Sequence, residues 1–504
     1  MLPPSYLPSG LELKRMAIKG VCADPKFQHL ESIIVSAPAF ATLVPEVLFQ
    51  RFYDCFGERL LSFFEILKSG RSNAAHELLA QLAAEFNIPI LTTNFDGLIE
   101  TCRGLPKGVL HLHGELADPR QMVIRLHQVG KGLSPALLRE AGGTLAGRVL
   151  CVLGYSGNDE DVRQLLREYR PREILWLVRN QYDPARNNLQ RFFVDFNLSI
   201  AQGSLSHFVS MLAEMKGWRF ARHKITTRSP SLVPNNWHDG LTPRERYMAL
   251  SEALLEVRQY AAAARVALKG GGQCPATERP SWFYVEAAEA YRILANAPQA
   301  LKQAHHAVRL ARRYGDYWDR AAALNALGLA HLEKPKSNAS LSRVYLRRAK
   351  ASLLQSDSAN WSERVIGFAA RLYNNLGLVE MELGAEKPAR VAFSRSLRLK
   401  RRIGDLSGEG TTAANMAILN AQHGRKSAAT RWRRRAIFLI KRYDQQFRAA
   451  YLYRRMGGAY CANGELRRGL AELNEALRIS REVLKNKFET KLTLEAIKKY
   501  APRF

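Results

Sequence analysis

Cysteine is scarce and never clustered. The 504-residue chain has six cysteines, Cys22, Cys55, Cys102, Cys151, Cys274 and Cys461, and no CxxC. That argues against a structural zinc site or any bound metal and fits a reducing cytoplasm. Each cysteine is expected to be a buried, small apolar residue. Long apolar runs are missing too. None approaches the roughly 20 residues that span a bilayer, so no membrane partner is expected. The opening, MLPPSYLPSGLELKRM, lacks the apolar core of a signal peptide, which speaks against secretion. No biased tract is long enough to imply disorder. With 47% hydrophobic and 24% charged residues, composition is globular. Acid is what the second half lacks. Residues 1–220 hold 24 Lys and Arg against 22 Asp and Glu, whereas residues 221–504 hold 51 against 24. The net charge of +29 is therefore concentrated in the second half, which suits a polyanion such as nucleic acid. Solvated, Arg-rich helices account for that charge equally well.

The two halves also differ in rhythm, and 504 residues exceed one ordinary core. In the first half, helical patterns alternate with short apolar runs. SNAAHELLAQLAAEF opens on a Ser72/Asn73 cap and keeps an apolar stripe. IPILTT and GVLHLHG follow as strands. SPALLREAGGTLAG is a helix with a Ser-Pro start, RVLCVLGYS and EILWLVRN read as buried strands, and DEDVRQLLREYR between them as an amphipathic helix. Continuous apolar strands alternating with helices imply an α/β unit whose parallel sheet is covered on both faces. This unit is expected over residues 1–220. A linker, 221–244, contains TTRSPSLVPNNWHDGLTP, rich in proline and turn formers.

Everything beyond reads as helix with a period of 40. Gly384, Gly424 and Gly464 share that step, as do Ala389, Ala429 and Gly469, and Ser396, Ala436 and Ala476. Leu376-Gly377, Met416-Ala417 and Met456-Gly457 stand upstream at the same step. Small residues where helices touch and a glycine at the turn describe a helix–turn–helix unit. Leu327-Gly328 begins an earlier copy, its extra length expected in the loop EKPKSNASLS. The pattern resembles tetratricopeptide repeats of the longer kind, over residues 245–485, with a cap at 486–504. Such arrays stack into a superhelix that binds ligands on an extended surface. In RWRRRAIFLIKR, Arg431, Arg434, Arg435 and Arg442 fall near one helical face, as expected of a polyanion contact. Arg401-Arg402 and Arg312-Arg313 instead precede Gly404 and Gly315, where they complement helix C-termini.

Parallel sheets bind ligands beyond the carboxyl ends of their strands. Thr93, Asn94 and Asp96 follow IPILTT, His113 follows GVLHL, Gly154 and Ser156 follow RVLCVL, and Asn180 follows EILWLV. Gly154 permits close backbone approach, and Ser156 stands near a helix start suited to phosphate. His111 and His113 are expected on opposite sides of the sheet, with His113, beside Gly114, facing the site. The bland readings are that Asp96 caps DGLIETC, that Asp159 and Asp161 serve the first turn of the next helix, and that His76 is a surface or packing residue.

Thr92-Thr93-Asn94-Phe95-Asp96, then His111-Leu112-His113-Gly114, then Gly154-Tyr155-Ser156-Gly157-Asn158-Asp159 resemble the sirtuin-like NAD-consuming domain of the zinc-less bacterial branch. The resemblance implies a Rossmann-like fold, NAD as substrate, and cleavage between nicotinamide and ribose. It makes His113 the general base, Asn94 the residue orienting the ribose or water, and Asp96 the holder of the carboxamide. Thr93, Gly154, Ser156 and Asn180 would contact the dinucleotide. The four-cysteine module of protein deacylases is missing, because Cys151 is the single cysteine between His113 and Gly154. That favours hydrolysis of NAD over deacylation. The family's first strand and Gly-rich phosphate loop are also not matched, so NAD is expected to bind poorly to the chain as written. The layout resembles bacterial antiviral-defence proteins that deplete NAD when a trigger reaches the repeats. A cytoplasmic homo-oligomer is expected. The alternative is a non-catalytic adaptor whose basic repeats bind protein or nucleic acid.

Overall fold

The structure is a computed structural model. It describes residues 7–102, 108–155, 157, 159–178, 195–218, 236–275, 278–332, 338–356, 358–443, 446–484 and 487–501. Two compact units emerge, and neither is contiguous. The first comprises Met1–Gly20 with Phe56–Gly240, the second Val21–Cys55 with Leu241–Phe504.

In the first unit, strand β1 (Ile90–Thr92) lies parallel to β2 (Val109–His111), Thr92 opposite His111. Strands β3 (Val149–Val152), β4 (Glu173–Val178) and β5 (Leu198–Gln202) form a second parallel ladder in that order. Among the described residues the ladders share no rung, yet one apolar cluster joins them. Leu91 and Leu110 pack with Leu150, Val152, Ile174 and Trp176 against helices Pro135–Leu145 and Glu160–Tyr169. The expectation of a fully buried β3 fails. Val149 is 45% exposed and Cys151 is exposed, because these two alternate residues share a strand face that no described element covers, whereas Val152 on the opposite face is buried. Cysteine burial as a whole is corrected likewise: Cys22 and Cys461 are buried, the rest are not.

Helix ends follow local chemistry. Asn73 caps helix Ala74–Phe86 by accepting from the amides of Ala75 and His76. His76 Nδ1 in return accepts the Asn73 amide at 3.0 Å, so this histidine closes a capping box. Ser134 caps helix Pro135–Leu145.

The second unit is a helical repeat array. Its described residues hold the pairs Pro243–Glu256/Tyr260–Gln273, Ser281–Ile293/Ala297–Tyr314, Tyr317–Leu332/Ala339–Leu353, Glu363–Glu382/Glu386–Ile403, Leu406–Gln422/Lys426–Arg442 and Gln446–Ala462/Leu466–Arg478. Helix Lys487–Tyr500 follows. Gly384, Gly424 and Gly464 sit at the turns with φ of +72°, +68° and +82°, a region that penalises any Cβ. At Gly377 the constraint is space, since a Cβ would come 2.5 Å from the Phe393 ring. Most of the extra length of the earlier copy lies between Leu353 and Glu363, not in EKPKSNASLS as expected. Residues 333–337 of that loop, like 221–235 of the expected linker, fall outside the described residues.

Residues 21–55 differ from the expected 1–220 unit by packing with the array. Phe27 meets Tyr247 edge-on at 4.8 Å, Arg246 donates to the Val21 carbonyl at 2.8 Å, and Arg51 bridges Glu252 and Glu256.

Candidate functional site

The carboxyl ends of β1 and β2 meet side by side, as their register requires. Beyond β1 the chain bends at once. Thr92 Oγ1 accepts the Asn94 amide at 3.1 Å, and Asp96 Oδ1 accepts the Leu98 amide at 3.2 Å. Asp96 therefore caps a short turn, and its second oxygen has no such role. Thr93 is half-buried and Asn94 is exposed. The Phe95 carbonyl accepts from Leu116, which ties this bend to the chain after β2.

The histidines separate, but not by strand alternation, since residues two apart share a strand face. β2 ends at His111, and the turn that follows redirects His113. His111 lies between the Asn94 carbonyl (2.8 Å at Nδ1) and Glu100 Oε1 (2.6 Å at Nε2). His113 turns inward and is 6% exposed, its Nε2 3.1 Å from Asp161 Oδ2. Asp161 is 2% exposed and also accepts the Val162 amide at 2.9 Å. It thus serves its helix's first turn, as expected, and a buried His–Asp pair that the helical reading alone does not reveal. Gly114 holds the turn: φ is +77°, and a Cβ would sit 2.6 Å from the Gln121 carbonyl oxygen.

After β3, Gly154 takes φ +66° with nothing within 4 Å of a Cβ position, so the backbone there is open to approach. Trp176 anchors this loop by donating Nε1–H to the Tyr155 carbonyl at 3.2 Å, and the two rings stack at 5.8 Å. Burial, and then Asp159, push the Tyr155 phenol well above its ordinary range. The candidates Ser156 and Asn180 lie outside the described residues. The strand ends thus bring together Asn94 with His111 and Glu100, and separately His113 with Asp161. Sequence reasoning missed Glu100, and it placed Asp161 in its helix's first turn without His113 as its partner. The available signal was an acid one helical turn past each strand-end loop. Among the described residues no three His, Cys, Asp or Glu side chains gather as a metal site needs.

No family model matches the chain, and no curated protein does. Three of the solved structures similar to this chain are the following. The APC/C hetero-tetramer Cut9–Hcn1 has a TM-score of 0.37 at 19% identity, over 50% of this chain and 43% of that one. Aspartyl phosphate phosphatase F from Bacillus subtilis has 0.38 at 12%, over 48% and 60%. A STAND protein with a tetratricopeptide repeat sensor from Pyrococcus horikoshii has 0.36 at 13%, over 75% and 51%. This chain spans about half the length of those chains, and none of these likenesses bears on function. The helix pairs, their glycine turns and the 40-residue step make the second unit a tetratricopeptide-type repeat array. No described helix is long and apolar enough to cross a membrane.

Proposed function

We propose that the first unit cleaves NAD between nicotinamide and ribose, as an effector coupled to the repeat array as sensor. The observation that carries this reading is the buried pair of His113 and Asp161 at the carboxyl end of a parallel sheet. Breaking the glycosidic bond builds an oxocarbenium-like ribose, which needs a held base and nearby negative charge. Asp161 orients the His113 ring and supports its protonated form. Exposed Asn94 orients the ribose or the attacking water. The second oxygen of Asp96 takes the carboxamide, and the open backbone at Gly154 receives the dinucleotide.

The test is nicotinamide release by the full chain. His113→Ala should lower it roughly 10²–10⁴-fold, the usual loss of a general base. Asn94→Ala should also abolish it, while Asp161→Asn should cost about 10–100-fold. Release that is unchanged in all three variants overturns the assignment.

A second reading, a non-catalytic adaptor, is favoured by the divided sheet and by Val149, 45% exposed on a strand of a type that is normally covered. Such a sheet supplies little of a pyrophosphate cradle. No release by the chain as written, with the fold intact, favours the adaptor.

A further inference from the structure

We propose that the exposed faces of two successive second helices of the array, Glu386–Ile403 and Lys426–Arg442, bind double-stranded nucleic acid through its phosphates, with Arg398, Arg402, Arg431 and Arg434 as the contacts. This concerns the second unit alone and does not depend on dinucleotide cleavage.

Helical spacing places these cations. Arg395, Arg398 and Arg402 recur at steps of three and four in helix Glu386–Ile403, so they share one face. Arg431 and Arg434 do the same in helix Lys426–Arg442. All five are exposed, whereas Phe393, Leu397, Ala436 and Ile440 on the opposite faces are buried. Acid is missing from both rows. Glu386 is the single acid of the first helix and stands at its start, and the second helix has none.

Tertiary packing joins the two rows into one patch. Buried Glu409 lies on helix Leu406–Gln422, between the two helices in sequence. Its Oε1 takes Arg401 at 3.1 Å and Arg435 at 3.2 Å. Arg401 adjoins Arg402 and is three residues from Arg398; Arg435 adjoins Arg434 and is four from Arg431. One carboxylate oxygen therefore fixes the two rows side by side. Arg395 is held in place as well, its guanidinium 4.7 Å from the centroid of the Tyr373 ring.

Neighbouring arginines are spent within the protein. Arg433 holds Glu472 at 2.9 Å, and Arg390 holds Glu386 at 2.9 Å. Arg398, Arg402, Arg431 and Arg434 hold no carboxylate among the described residues.

The chemistry of the patch selects its partner. A guanidinium is charged at every working pH and meets a phosphate with paired N–H donors. The row from Arg395 to Arg402 spans about 10 Å at roughly 1.5 Å per residue. A duplex carries a negative charge about every 1.7 Å of its axis, so several phosphates face a patch of that length. No aromatic side chain is exposed on the two helices among the described residues, so unpaired bases have no platform to stack on. That favours a duplex over a single strand. Val391 is the one large apolar residue exposed there among the described residues, too little to insert into a lipid surface.

The experiment uses the full chain and a short labelled duplex, followed by fluorescence anisotropy across a salt series. Unlabelled duplex, oligo-dT, polyglutamate and phosphatidylserine vesicles compete at equal charge concentration. The unlabelled duplex should compete best, and neutralising four phosphates should give a slope of log affinity on log salt of about −3.6. Arg398→Gln with Arg402→Gln, and Arg431→Gln with Arg434→Gln, should each reduce that slope by about 2 and weaken binding about tenfold or more, equally for duplexes of different sequence. Arg312→Gln with Arg313→Gln removes the same charge from the end of helix Ala297–Tyr314 and should leave slope and affinity unchanged. All six side chains are exposed, and circular dichroism checks that the variants stay folded. A flat salt series, stronger competition by oligo-dT, polyglutamate or vesicles than by duplex, an equal loss in the Arg312 and Arg313 variant, or no binding of the duplex overturns the proposal.

Discussion

Lys400 is 2% exposed, yet it carries an amine. Its Nζ donates to the Gly408 carbonyl and to Thr412 Oγ1, both at 2.7 Å. From Thr412 a chain of amides continues: Thr412 and Asn415 donate to Asn374, and Asn375 donates to Asn325. Burial pulls the Lys400 pKa down to about 7, and the nearby Asp405 only partly opposes it. In the unfolded chain a lysine titrates near about 10.4. Between these values the unfolded state binds the extra proton, so stability should rise with pH, by at most about 1.4 kcal/mol per unit from this group. Glu286 works in the opposite sense below about 8, where the folded state binds the proton. The clean window is therefore pH 8 to 10, within the Lys400 range. Urea midpoints of the wild type should climb there relative to Lys400→Met. Parallel pH profiles would show that Lys400 is charged when buried.

Among the elements, β3 carries the most consequential departure. Cys151 on it is exposed, whereas Cys22 and Cys461 are buried. A neutral alkylating reagent should modify Cys151 first and leave the buried pair intact until unfolding. Burial still raises the Cys151 thiol above its ordinary range, so modification should be slow at neutral pH and accelerate above about 9. Mass spectrometry of peptides after timed labelling distinguishes the sites. Protection of Cys151 equal to that of Cys461 would mean that another element covers this face. Within the repeats, the arginine face also reads differently once helices are packed. Arg435 bonds Glu409 and Arg442 meets the Tyr443 hydroxyl, so neither is available for a polyanion contact as first expected. Glu409, 2% exposed, takes both Arg401 and Arg435. Two bases on one acid from neighbouring helices put part of the array's arginine content to use as internal cross-linking.

For the whole molecule, the division into units matters more than the composition step. Residues 21–55 belong with the array through Phe27–Tyr247, Arg246–Val21 and Arg51–Glu252. Residues 241–504 produced alone should therefore unfold at lower urea than the same residues within the full chain. Loss of a buried aromatic contact and a partly buried ion pair sets the scale at about 2–4 kcal/mol. Fluorescence and circular dichroism should both report it. An unchanged midpoint would return residues 21–55 to the first unit.

Local chemistry decided what could be read without coordinates. Asn73 and Ser134 are caps because their side chains reach amides two or three residues away. Gly384, Gly424 and Gly464 are turns because their left-handed backbone penalises other residues, and a fixed period displays that need repeatedly. Parallel strands were legible as apolar runs, with the polar residues of interest just past them. What tertiary structure alone decided depends on partners distant in sequence. That Asp161 faces His113, that Asn94 meets His111 instead, that one face of β3 is exposed, and that residues 21–55 pack on the repeats all follow from contacts without local periodicity. Charge shows the same division: a sequence counts arginines, but only packing shows which of them already hold a carboxylate.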